Sequence, residues 1–169
     1  MSNFVPSNVS HVIAQAIDAT ETTQNVPLGT IITAEDKDLS TAYGVGEFIY
    51  LKGVASTVVG SVVVYNSDDH STTLASANAV GPIATAMSAN VGSQFGWYQL
   101  QGKGVAKVLA SFADGADCYL TATAGSIDDA DVAGDYIRGM KGASAIDTPS
   151  TGLAEVEMWR PSVADGKDD

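Results

Sequence analysis

The sequence has few of the residues that most often carry chemistry. Its 169 residues include one cysteine, Cys118, and two histidines, His11 and His70. A lone cysteine excludes a disulfide within the chain, and two histidines leave little scope for imidazole acid–base catalysis. The sequence also has no long apolar run, which excludes a membrane-spanning helix.

Basic residues are scarce as well. There are 8 Lys and Arg against 20 Asp and Glu, which gives a formal net charge of −12. Such a chain repels both a phosphate backbone and an anionic membrane surface, so we expect no nucleic-acid or membrane partner. The first ten residues have neither the basic nor the apolar region of an export signal, and we therefore expect synthesis in the cytoplasm.

No motif predicts a catalytic, cofactor or metal site. His70 closes a polar loop, but the Gly-x-Ser-x-Gly motif of serine hydrolases is absent. Residues 102–107 begin like a dinucleotide-binding fingerprint but end in lysine. If Asp129 is taken as the first ligand of a calcium-binding EF-hand, Ala133 and Met140 occupy two ligand positions. We expect residues 128–135 to form a solvated acidic loop, with a looser calcium site as the alternative.

Short runs rich in β-branched and aromatic residues recur from residue 30 onward, with glycines nearby. Residues 102–104, Gly-Lys-Gly, predict a turn between two of these strands. The alternation of apolar and acidic residues over 154–159 predicts a half-buried edge strand. The pattern predicts an all-β domain over residues 30–161, either a small β-barrel or a β-sandwich of short antiparallel strands.

The two ends of the chain differ from this domain. Val9, Val12, Ile13 and Ile17 follow the spacing of one helical face, but their β-branched side chains equally suit an extended strand. Residues 1–29 are therefore predicted to form an N-terminal arm, helical or extended. The arm either docks on its own domain or packs on a neighbouring chain. Residues 162–169 are predicted to form a mobile acidic tail.

The series of strands and turns resembles the small β-barrel decoration (cement) proteins of tailed-bacteriophage capsids. Residues 81–102 and 103–108 match a strand of small residues, a loop, a glycine-aromatic strand, a turn and a Val-rich strand. Residues 115–126 resemble the family's Gly-Asp-x-Val-Tyr strand and its Thr-Ala-Gly turn, with Ala116 inserted and Cys118 in the hydrophobic position. Residues 137–145 and 153–159 fit the final hairpin. The resemblance covers about residues 60–159.

The resemblance implies a structural protein without catalytic activity or cofactor. Such a protein binds the outside of the virion capsid and bridges major capsid protein subunits. Self-association is expected, with a trimer as the first choice and a dimer as the second. The candidate contacts with the capsid or with a sister subunit are apolar residues of the arm together with one tryptophan: Phe4, Val5, Val9, Val12, Ile13, Ile17 and Trp159.

Two other functions stay open at this point. One is another β-rich virion component, from a tail, spike or head fibre. The other is a carbohydrate-binding or hydrolytic domain, which predicts that Trp97 or Trp159 is exposed beside a carboxylate.

Overall fold

The computed structural model describes residues 4–6, 15–37 and 43–165, and all regular elements within these ranges are β-strands. This confirms the predicted all-β class. None of the described residues belongs to a helix long and apolar enough to cross a membrane. The strands are β1 (Phe4–Pro6), β2 (Ile31–Asp36), β3 (Val45–Lys52), β4 (Val62–Tyr65), β5 (Thr72–Leu74), β6 (Gly81–Ala86), β7 (Phe95–Lys107), β8 (Asp117–Leu120), β9 (Ile127–Asp128), β10 (Tyr136–Gly142) and β11 (Leu153–Val163).

The strands pair antiparallel in a single sheet. Its order is β1-β2-β3-β7-β6-β11-β10-β8-β9, and β4, with β5 on its other side, joins at β6. β7 also pairs with β11, so β6, β7 and β11 each contact the other two. The ladders do not close into a continuous barrel, since β1 and β9 stand at the two ends of the order. A single bridge between Val108 and Ile127 brings the chain after β7 against β9.

β7 is one long strand where the sequence predicted two. Its first half, residues 95–101, pairs with β3, and its second half, residues 101–107, pairs with β11. The predicted turn at residues 102–104 is wrong, because these residues lie inside the strand. Gly102 has a φ of 97°, and a Cβ there would lie 2.6 Å from the Val45 carbonyl oxygen. The glycine lets the strand bend and change partners without reversing direction.

β11 confirms the predicted alternation and corrects the predicted edge position. Ala154, Val156 and Met158 are buried, while Glu157 and Trp159 are exposed. The strand lies between β7 and β10 and is therefore interior. It continues to residue 163, which pairs with β6, so β-structure extends past the expected domain boundary at 161. Residues 166–169 of the predicted tail lie outside the described residues.

The buried side chains form three clusters. The largest contains Cys118 and lies among the C-terminal strands. The second surrounds Tyr50 and Trp97, whose rings meet edge-on with centroids 5.0 Å apart. The third contains Tyr98 and lies where β3, β4, β6 and β7 meet. Close packing in these clusters makes the central strands rigid, so they form a fixed support for the side chains on their solvent-facing side.

The N-terminal segment is partly built into this core. Residues 15–29 contain bends and turns but no regular element, and Glu21 forms a single bridge with Phe95. Ile17 is 2% exposed and belongs to the second cluster. This part of the arm therefore docks on the chain's own domain. The choice between helix and extended arm falls on residues 7–14, which lie outside the described residues.

Candidate interaction surface

One row of side chains crosses four adjacent strands. Trp159 on β11 is paired with Gln101 on β7, Gln101 with Glu47 on β3, and Glu47 with Thr33 on β2. Directly paired residues of antiparallel strands present their side chains to the same face of the sheet. Trp159 is 57% exposed, the most exposed aromatic side chain among the described residues. The row thus places a large apolar ring at one end of a polar, solvent-facing strip.

A second row lies beside the first. Glu157 on β11 is paired with Lys141 on β10 and with Lys103 on β7. The Lys103 ammonium lies 2.6 Å from a Glu155 carboxylate oxygen and 5.6 Å from the centre of the Tyr43 ring. Burial, and next the negative charge of Glu155, raise the pKa of the Tyr43 hydroxyl well above its usual range. Tyr43 is therefore neutral at physiological pH, and its ring helps to fix the position of Lys103.

The two rows border a shallow depression of about 250 Å³. It is lined by Gly102, Lys103, Glu157, Met158 and Trp159. The Trp159 ring is its exposed apolar wall, whereas Met158 is buried. A depression with one aromatic wall and charged neighbours can receive an apolar group whose edges carry polar atoms.

Arg160 completes the surface on the side of β3. Its Nη2 and Nε atoms lie 2.8 and 2.9 Å from the same Glu47 carboxylate oxygen. The Arg160 side chain is exposed and the Glu47 side chain is half-buried, so the ion pair lies at the surface and adds about 1 kcal/mol of stability at most. The ion pair holds the guanidinium of the residue after Trp159 against the Glu47 carboxylate on β3. Val45, two residues before Glu47 on β3, is 57% exposed. We call Val45, Glu47, Trp159 and Arg160 the Trp159 surface.

The structure locates only some of the sequence-predicted contact residues. Phe4 and Val5 lie in β1, which pairs with residues 35 and 36 of β2, so the arm joins the sheet beside the Thr33 end of the first row. Ile17 is buried in the chain's own core. Val9, Val12 and Ile13 lie outside the described residues. Sequence reasoning missed Val45 and Glu47, since only the pairing of β3 with β7 and of β7 with β11 brings them near Trp159. It also missed Arg160, which follows Trp159 in the chain but pairs with Glu47 only in the folded sheet.

Carboxylates of the acidic loop bind backbone amides. The amide of Asn78 donates to Asp135 at 2.6 Å, and the amide of Ala113 donates to Asp129 at 2.9 Å. Burial is the main cause of the raised pKa of Asp128. Within residues 4–6, 15–37 and 43–165, no three His, Cys, Asp or Glu side chains are grouped so that they could hold a metal ion. Hydrogen bonding thus gives these two carboxylates a structural role.

His70 and Cys118 both have structural surroundings. The His70 imidazole packs over Gly29, where a Cβ would lie only 2.3 Å from Nε2. The residue is half-buried, although its place in a polar loop predicts a solvated side chain. Cys118 is fully buried in the largest core cluster, and this burial raises the pKa of its thiol to about 12. The thiol is therefore protonated and shielded from solvent at neutral pH.

No protein-family model matches the chain, and no curated protein is detectably similar to its sequence. The Trp159 surface is therefore interpreted from its own chemistry.

Proposed function

We propose that this protein is a non-catalytic structural component of a bacteriophage virion. In this proposal it binds the outer surface of the capsid, bridges major capsid subunits and stabilises the expanded shell. The single observation that carries the proposal is the Trp159 surface. Tryptophan and arginine are among the side chains that most often dominate the binding energy of protein interfaces, and here they are adjacent and exposed.

The position of this surface on the sheet favours recognition of another protein. β11 is paired on both sides, and its buried residues pack in the largest core cluster, so the backbone under Trp159 is fixed before any partner arrives. A tryptophan on a fixed backbone has only two side-chain torsions left to order, so it loses little conformational entropy on binding. The neighbouring charges of Glu47, Glu157 and Arg160 can set the orientation of a partner.

Preferential binding to one state of a shell stabilises that state by mass action. A protein that binds the expanded shell more tightly than the compact one shifts the equilibrium toward expansion. Many copies on one particle, joined as trimers or dimers, gain further from multivalency. These are the physical means by which a small β-domain can act as a capsid cement without making or breaking covalent bonds.

The experiment compares the wild type with Trp159→Ala in co-sedimentation with emptied, expanded capsids of the encoding phage. We expect Trp159→Ala to weaken binding at least tenfold while urea unfolding stays close to wild type, since the indole is mostly solvent-exposed. Val80→Ala is the matched control, because Val80 is 63% exposed and lies outside the Trp159 surface. Unchanged binding by Trp159→Ala, or no wild-type binding to capsids, would refute the proposal.

A carbohydrate-binding function is the second candidate, and one observation favours it. Trp159 is exposed beside Glu157, and both line the same depression, as that function predicts. A sugar ring could stack on the indole while the carboxylate accepts its hydroxyl hydrogens. Glycan binding that Trp159→Ala abolishes, together with indifference to capsids, would replace the capsid proposal with this one. Labelling on intact particles separates a shell protein from a tail or fibre component.

A further inference from the structure

A second candidate contact lies apart from the Trp159 surface, where the loop after β3 approaches the end of β7 and the start of β11. It is a shallow, mainly apolar groove of about 440 Å³. Val58, Val59 and Leu153 supply much of its apolar lining, and Val58 is 45% exposed. No residue of the Trp159 surface lines it. A concave apolar surface of this size accommodates one or two side chains of a partner.

One charged side chain, Lys107, lines the groove. It is half-buried and is paired across the strands with Leu153. The ion pairs among the described residues involve Lys37, Lys103 and Arg160, and Lys107 makes none there. An unpaired cation beside apolar side chains, in a chain with a net charge of −12, favours an occupant that combines an apolar group with a carboxylate.

The chain itself presents such a segment on the loop between β9 and β10. Residues 130–133 are all exposed, and Val132 is 42% exposed. Asp129 and Asp135, on either side, are engaged with backbone amides, whereas Asp131 has no ion pair or hydrogen bond to the described residues. Asp131 and Val132 therefore offer a free carboxylate next to an exposed apolar side chain.

We propose that the groove binds the loop of residues 130–133 of a second copy of this chain. Val132 of one copy packs against Val58 and Leu153 of the other, and the Asp131 carboxylate pairs with the Lys107 ammonium. The groove and the loop are different surfaces of one copy. Every groove is therefore filled if the copies form a closed ring, or if two copies each insert a loop into the groove of the other. This contact provides the self-association that forms part of the proposed function, but it requires no capsid.

The test is a charge exchange, measured by sedimentation equilibrium of the free protein over a range of concentrations. We expect the wild type to self-associate, and Lys107→Glu and Asp131→Lys each to weaken the association at least tenfold. The double variant restores the pair with reversed charges and should recover most of the association. Lys52→Glu is the matched control, since Lys52 is an exposed lysine that lines neither the groove nor the depression beside Trp159.

Three results would overturn the inference: a wild type that stays monomeric, a Lys107→Glu variant that associates normally, or a double variant no better than the single ones. Far-UV circular dichroism checks folding. If Lys107→Glu unfolds, Val132→Ser on the exposed loop replaces it and must also weaken association. A protein that associates as described but ignores capsids would refute the capsid proposal alone. Capsid binding by a protein that is monomeric in solution would refute only this contact.

Discussion

Gln15 holds the N-terminal segment onto the sheet, and its removal gives a quantitative test of that attachment. The side chain is 4% exposed. Its Nε2 donates to the carbonyl oxygens of Ala19 and Phe95, each at 2.9 Å, and its Oε1 accepts from the Tyr50 hydroxyl at 2.6 Å. The Trp97 indole N–H donates to the Gln15 backbone carbonyl at 3.2 Å, a bond that a side-chain change leaves in place.

Gln15→Ala should lower the free energy of unfolding by about 3 kcal/mol. Three hydrogen bonds disappear, each worth about 1 kcal/mol net, and the buried groups that they joined to Gln15 are left without those hydrogen-bond partners. Tyr50→Phe removes one of these bonds together with the longer bond, 3.4 Å, that the Asn25 amide donates to the Tyr50 hydroxyl, and should cost about 1–2 kcal/mol. Because the two side chains share that bond, the double variant should be less destabilised than the sum of the single ones, by about 1 kcal/mol.

Urea unfolding of the four proteins, followed by tryptophan fluorescence and by far-UV circular dichroism, measures these differences. Gln101→Ala is the matched control, because Gln101 is an exposed glutamine on β7, and it should shift stability by no more than about 0.5 kcal/mol. If Gln15→Ala proved as harmless as Gln101→Ala, or strictly additive with Tyr50→Phe, the segment would not be anchored by this residue.

Two further changes test the core and the bend in β7. Burial raises the pKa of the Cys118 thiol from 9.0 to about 12, so only the unfolded state loses this proton between those values. The free energy of unfolding should fall as pH rises above 9, and at pH 10 it should be about 1.4 kcal/mol lower than at pH 7 on account of this thiol. Cys118→Ala, measured over the same pH range, should lack this part of the decrease. Gly102→Ala should cost about 2 kcal/mol more in urea unfolding than Gly44→Ala. Both glycines have positive φ, but only at Gly102 does a Cβ meet backbone atoms within 4 Å. Equal losses of stability in Gly102→Ala and Gly44→Ala would contradict the role of Gly102. The same pH dependence of stability in the wild type and Cys118→Ala would contradict the role of the thiol.

Much of the β-structure is predictable because strand residues carry local signals. The runs in β3, β4 and the first half of β7 combine β-branched and aromatic residues, and all three appear as strands. β5 and β9 have only three and two residues, which is too short for any periodicity, and they form where antiparallel partners align them. The sequence predicts a turn at Gly102 where the structure has a bend inside β7, because glycine is common both in turns and at bends of strands.

By itself, the sequence determined the all-β class and the burial of alternate residues in β11, because both follow from local pattern. Trp97 and Trp159 occur in similar strand patterns, yet Trp97 is 1% exposed and Trp159 is 57% exposed. The Trp97 side of the sheet is covered by the N-terminal segment, which packs there from 82 residues away, whereas the Trp159 ring stays open to solvent. Only the tertiary structure could decide this, since the exposure of a strand residue depends on which distant segment covers its face of the sheet.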